Sequence, residues 1–133
     1  MKFLLDTDTC IYALRQERTV LGRLLSHRRA DVAVSVITEA ELRTGAQRSS
    51  RAAKTLKLIE NFLAPLAVVD FASSDAVSYA RIRARLEQAG TPIGPLDTLI
   101  AAQAVARGLI LVSNNEREFN RVSGLKVENW ARV

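Results

Sequence analysis

The chain has 133 residues, 48% of them hydrophobic, with 19 basic against 14 acidic side chains and a net charge of +5. That describes one domain of ordinary size with enough apolar material for a core. It excludes a disordered chain, a disulfide-stapled fold (Cys10 is the single cysteine) and a membrane span, since no apolar run nears the ~20 residues a span requires. The basic balance, with a pI of about 10.0, is compatible with contact to nucleic acid phosphates, while an aromatic content of 5% does not indicate a base-stacking platform.

The first apolar run, Phe3-Leu4-Leu5, shows no alternation and suits a strand buried on both faces of a parallel sheet. It is too short for a signal-peptide core, so a cytoplasmic protein is expected. It ends in Asp6-Thr7-Asp8-Thr9, at the kind of strand end where open α/β sheets place their ligands. Asp8 or Thr7 suits the N-cap of a following helix over residues 9–15, with Cys10 as a buried thiol. A second helix is expected over residues 19–29, and His27, the only histidine, falls at its solvated basic end. One histidine excludes a His-based metal pair.

Residues 32–37 read as a second buried strand, followed by a helix in which Thr38-x-x-Glu41 has the form of a capping box and Gly45 that of a C-cap. Residues 50–63 form a longer helix whose outer side carries Arg51, Lys54 and Lys57, ordinarily a solvated face and here also a candidate phosphate-contacting surface. Residues 66–71 are a third strand, and Ser73 or Ser74 caps a helix ending near Ala89 and Gly90. The loop at residues 91–97 holds Pro92, Gly94 and Pro95 and is stiff. Residues 98–107 form a helix of small apolar side chains closed by Gly108, residues 109–112 a fourth strand, and residues 126–128 a last short one. Strands alternating with helices imply a single α/β domain over residues 1–133, with a central, mainly parallel sheet flanked by helices.

Asp6, Glu41, Asn115 and Glu118 all follow strands, so they share the carboxyl rim of such a sheet and can converge there. Asp97 opens the helix before the fourth strand. There the helix dipole stabilises a carboxylate by roughly 0.3–1 kcal/mol, and a simple chain path puts it at the opposite rim. Grouped carboxylates repel, and a divalent cation removes that cost. Oxygen ligands without Cys or His select Mg²⁺ or Mn²⁺, which can activate water against a phosphodiester.

The residues LLDTDTCIY, SVITEAELRTG, GTPIGPLDTLIAAQAVARG and LVSNNEREFNRVSGLKVENW, in this order, resemble the PIN-domain toxin ribonucleases of the VapC type, found in bacterial toxin–antitoxin pairs. The resemblance spans nearly the whole chain. It implies a PIN-like fold and a Mg²⁺- or Mn²⁺-dependent endoribonuclease with catalytic Asp6, Glu41, Asp97 and Glu118. Asp6 and Asp97 would be direct metal ligands, and Glu41 would act directly or through water. Many relatives have Asp where this chain has Asn115, and Asn where it has Asp8. Asn115, Asp8 and Ser113 are supporting candidates. The resemblance further implies a homodimer, a cognate VapB-type antitoxin, and an RNA substrate that is a tRNA, with the anticodon stem-loop of initiator tRNA the expected target.

Two other readings compete. Asp6-Thr7-Asp8-Thr9 also fits the DxDxT pattern of haloacid-dehalogenase-like phosphatases, with Asp6 as nucleophile, Asp8 as general acid and Ser35 as a second motif. That pattern lacks its late acidic pair here. A non-catalytic RNA-binding module has no need of Asp6, Glu41 and Asp97 together.

Overall fold

A computed structural model describes residues 1–132. Five parallel strands lie in the order β3-β2-β1-β4-β5. They are β1 (Phe3–Leu5), β2 (Val32–Ser35), β3 (Ala67–Val69), β4 (Ile110–Val112) and β5 (Val127–Glu128). Seven α-helices connect them: α1 (Thr7–Leu14), α2 (Arg18–Leu25), α3 (Val36–Arg48), α4 (Ala52–Leu63), α5 (Ser73–Gln88), α6 (Pro95–Arg107) and α7 (Glu116–Phe119). The sheet is wholly parallel, and the expected α/β architecture stands.

The apolar first strand is central because both of its faces need cover. Phe3 and Leu5 point into a core shared with α1 to α4, through Cys10, Val20, Leu24, Leu42, Ile59 and Leu63. Leu4 points the other way, into a core built from α5, α6 and α7, through Ile82, Leu86, Ile100, Ala101 and Phe119. The alternation of side chains along a strand thus divides one tripeptide between two layers. The alanines of α6 (Ala101, Ala102, Ala104) are fully buried, and their small size lets this helix lie close on the sheet.

Several helix ends differ from expectation, each for a local reason. The α1 helix starts at Thr7, and its N-cap is Asp6, whose carboxylate accepts the Thr9 N–H at 2.8 Å. Asp8 is therefore no cap and lies exposed in the first turn. Ser35, not Thr38, caps α3: its hydroxyl accepts the Ile37 N–H at 2.9 Å, and the helix runs through Gly45 to Arg48. The α5 helix starts without a Ser cap; Asp75 instead reaches back to the Ala72 N–H at 2.7 Å. Pro95 opens α6 at its first position, where a missing N–H costs nothing, so Asp97 stands at the third position of the helix.

His27 is not at a solvated end. Its half-buried ring stacks on Trp130 at 5.1 Å and meets Phe3 at 4.5 Å, closing the sheet's amino edge with an aromatic cluster. Cys10 is fully buried, and burial pushes its thiol well up in pKa.

Candidate active site

The carboxyl ends of β1, β2 and β4 and the starts of α1, α3 and α7 form one rim, as the parallel sheet dictates. Asp97 joins it, against the simple path expected from sequence. The α6 helix leads through Gly108 and Leu109 into the amino end of β4, so it runs antiparallel to the strands and must begin at their carboxyl side. Its 13 residues rise about 20 Å, while a three-residue strand spans about 10 Å, so the start of α6 overshoots the rim. The α5–α6 hairpin carries the chain out there and back.

Asp6 is 3% exposed. One of its oxygens, Oδ1, is committed to the α1 N-terminus. Burial pushes its carboxyl above the ordinary value, and hydrogen bonds from Ser113 and Thr9 partly offset that. Ser113 is itself buried and accepts the Asn115 N–H at 2.9 Å. Thr9 is fixed in turn by its hydroxyl, which donates to the Val112 carbonyl at 3.1 Å. The β4 end and α1 start are thus locked together beneath Asp6.

Glu41 is freed from any capping duty by the start of α3 at Val36. It accepts a hydrogen bond from the Thr7 hydroxyl at 2.6 Å, and the same hydroxyl lies 3.1 Å from that of Thr38. Glu118 on α7 accepts from the Asn115 amide at 2.9 Å, so the two candidates for the fourth position are hydrogen-bonded to one another. Asp97 responds to all of them. Its carboxyl is pushed up to about 6, first by burial and then by the charges of Asp6, Glu41, Glu118 and Asp8. That repulsion shows that the acids from β1, α3, α6 and α7 share one field.

Among the described residues, none of these five carboxylates forms an ion pair with Lys or Arg. No group of three or more acidic, His or Cys side chains is close enough, as placed among the described residues, to hold a metal ion by itself. If the rim holds a metal, its oxygen-only donors could take Mg²⁺ or Mn²⁺, since Mg²⁺ keeps several waters and uses one or two carboxylates directly. Such a set does not suit Zn²⁺, which takes three or four protein ligands rich in nitrogen or sulfur.

Sequence reasoning passed over Thr7, which positions Glu41, and the four-residue helix α7, too short to show a period. The signal for Thr7 was its place between two acids at a strand end, where a hydroxyl facing the rim has carboxylate neighbours.

The geometry agrees with the chain's likeness to known proteins. Residues 3–125 match the PIN domain family. A tRNA(fMet)-specific endonuclease VapC of Salmonella typhimurium is 38% identical over 130 residues, covering 98% of both chains. Ribonuclease VapC2 of Haemophilus influenzae is 39% identical over 130 residues, again covering 98% of each. The DNA-bound VapBC crystal structure from Salmonella typhimurium superposes with a TM-score of 0.93 at 38% identity, over 98% of each chain. That of VapBC2 from Rickettsia felis, bound to a promoter DNA fragment, gives 0.92 at 34%, over 98% of this chain and 99% of the other. The chain belongs to the PIN domain family, in its VapC branch.

Proposed function

We propose that the protein is a metal-dependent endoribonuclease, the toxin of a type II toxin–antitoxin pair, and that it cuts tRNA, with the initiator tRNA anticodon stem-loop its expected target. The observation that carries the reading is the shared field of five carboxylates without a cation from the chain, which holds Asp97 at about 6. Relatives named as a tRNA(fMet)-specific endonuclease and as ribonucleases support the substrate class.

Asp6, through the oxygen not committed to Thr9, and Asp97 are the residues that would hold Mg²⁺ or Mn²⁺, with Glu41 completing the set directly or through water. When bound, the ion would neutralise phosphodiester charge and make a bound water a better nucleophile. The chain's own groups prepare the place. Thr7 donates to one oxygen of Glu41, restraining its side chain. Asn115 does the same for Glu118. Glu118, the last of the rim acids along the chain, would orient a water at the rim. Hydrogen bonds from Ser113 and Thr9 partly offset the cost of burying the Asp6 carboxylate.

A groove of about 270 Å³ between α1, α3 and α4 is lined by Ile11, Leu14, Leu42 and Ile59 and reaches Glu41. It suits an apolar segment of a VapB-type antitoxin, which would cover Glu41 from there. Similar solved structures bear the VapBC name. A homodimer completes the proposal. Among the described residues no helix is long and apolar enough to cross a membrane.

The phosphatase reading loses its second motif, because the Ser35 side chain is fully buried and its hydroxyl is engaged within the fold. The test of the nuclease reading is incubation of the protein with a total tRNA pool and Mg²⁺, with sequencing of the cut ends. Discrete Mg²⁺-dependent cuts in a tRNA, absent with Asp97→Asn, are expected; uncut tRNA beside cut ribosomal RNA would overturn the substrate.

A further inference from the structure

Two of the acids, Glu41 and Asp97, ride on different helices, α3 and α6, whose relative position must be set by something. The α6 face against the sheet sets it only loosely along the helix axis, because Ala101, Ala102 and Ala104 surround its one large, fully buried apolar side chain, Ile100. The far end of α6 is tied by Arg107 to Asp75 at 2.9 Å and to the Asp70 carbonyl at 2.8 Å, but that anchor is ten residues, about 15 Å, from Asp97. Thr7 ties α1 to α3 and does not reach α6.

Gln103 fills the gap. It is fully buried in α6, beside Thr98, Ile100 and three alanines, and is the one buried amide of that helix. Its Nε2 donates to the Val69 carbonyl at 3.2 Å and to the Asp70 carbonyl at 3.1 Å, using both amide hydrogens on the end of β3. Its Oε1 accepts the hydroxyl of Ser35. Ser35 is the last residue of β2 and caps α3 with the same oxygen, accepting the Ile37 N–H. Among the described residues this is the only side-chain hydrogen bond from α6 to β2 or α3. Glu41 lies six residues beyond Ser35, and Asp97 six before Gln103. Each carboxylate therefore stands about 9 Å along a helix from the same buried contact.

We propose that Gln103 is a positioning residue for the active site: with Ser35 it fixes the helix bearing Asp97 against the helix bearing Glu41, at the spacing that divalent cation binding and phosphodiester cleavage require. This rests on the metal-dependent nuclease reading. A buried amide must be hydrogen-bonded in any case, so a role in stability alone is the competing explanation, and the two differ in what they move. Positioning predicts that a shift near 1 Å at the latch lowers kcat by about 100-fold; a stability role predicts a lower Tm with kcat intact in the folded protein.

The experiment compares Gln103→Leu, Ser35→Ala and Ser35→Thr with a control, Val20→Ala, which destabilises the opposite core. Each is measured well below its Tm for kcat and KM on tRNA, and by calorimetric titration of Mn²⁺ without RNA. Gln103→Leu is expected to lower kcat by about 100-fold and weaken Mn²⁺ binding by about 10-fold, with KM within twofold. Ser35→Ala leaves the Gln103 bonds to β3 in place and is expected to lower kcat by about 10-fold, and Ser35→Thr, which keeps the hydroxyl, to restore it. Val20→Ala should lower Tm alone. Should Gln103→Leu fail to fold, Ser35→Ala and Ser35→Thr still decide. Mn²⁺ affinity and kcat within twofold of wild type in the latch variants, despite a lowered Tm, would overturn the proposal. If Asp97→Asn also cleaves normally, it is the nuclease reading that has failed rather than the latch.

Discussion

Asp6 and Asp75 invite comparison, because the fold treats them alike except in one respect. Both are buried, at 3% and 0% exposure, and both accept a backbone N–H at the start of a helix, Thr9 at 2.8 Å and Ala72 at 2.7 Å. Asp75 then meets the Arg107 guanidinium at 2.9 Å. Asp6 meets neutral donors, Ser113 and Thr9, and the negative charge of Asp8. One region of the molecule closes its charge balance within the chain, and the other leaves it open. A buried carboxylate without a cation is expensive, so on the proposed function a rim that gathers Asp6, Glu41, Asp97 and Glu118 would take its cation from outside. The Asp75–Arg107 pair is architecture: it pins the start of α5 to the end of α6, and that hairpin carries Asp97 out to the rim.

The largest effect should come from removing charge at the open region. Asp6→Asn and Asp97→Asn are each expected to lower Mg²⁺-dependent RNA cleavage by about 1,000-fold or more, beyond the 10–100-fold typical of groups that only support a ligand. Asn is itself a good N-cap, so Asp6→Asn keeps α1 and its circular dichroism. The same change at the closed region, Asp75→Asn, should leave cleavage by the folded protein within a few-fold.

Breaking the closed pair from the other side should cost stability instead. Arg107→Ala strands a buried carboxylate, and with the Arg side chain 30% exposed the loss is expected to be about 2–3 kcal/mol. Denaturant unfolding measures it, and kcat at low temperature should stay near the wild-type value.

The open region has a pH signature in the metal-free protein. The folded Asp97 carboxyl sits at about 6, above its ordinary 3.8, so the folded state holds this proton more tightly than the unfolded state does. Stability from that proton is present below about pH 4 and is lost as pH rises through about 6, a loss of about 1–2 kcal/mol after allowing for solvent screening at a half-buried site. Asp97→Asn, free of this penalty, should show a higher Tm than wild type at pH 7.5 in chelator, with the gap closing toward pH 4. Added Mg²⁺ should raise the wild-type Tm and leave that of the variant unchanged.

The smallest effects separate the supporting residues. Glu118→Gln keeps the hydrogen bond from Asn115 and is expected to lower cleavage about 10-fold. Asp8→Asn touches an exposed carboxylate without a cap to maintain, and cleavage within about threefold of wild type is expected. Abolition by Asp8→Asn would favour the phosphatase chemistry.

The sequence made the parallel sheet legible because its strands are unbroken apolar runs, and such runs need cover on two faces. It also pointed to Asp6 and Glu41, since strand ends in a parallel sheet share one rim. Asp97 was harder. The chain path suggested the opposite rim, but α6 runs straight into the amino end of β4, and its length against a three-residue strand carries its start beyond the carboxyl edge. Cap assignments failed at α1 and α3 because several residues in each stretch, Asp6, Thr7 and Asp8 or Ser35 and Thr38, have the chemistry of a cap. Burial of the strands decided between them. Pairs far apart in the chain, such as Asp75 with Arg107 and His27 with Trp130, left no local pattern to read. Gln103 did leave one: a lone amide in a run of small apolar residues signals a buried hydrogen-bond partner.

The claim that the rim carboxylates await a divalent cation is tested most directly by calorimetric titration of Mn²⁺ into the wild type, Asp97→Asn and Asp75→Asn at pH 7.5. Saturable binding by the wild type and by Asp75→Asn, with none by Asp97→Asn, is the expected result. Equal binding by the wild type and Asp97→Asn, or none by the wild type, would contradict the account.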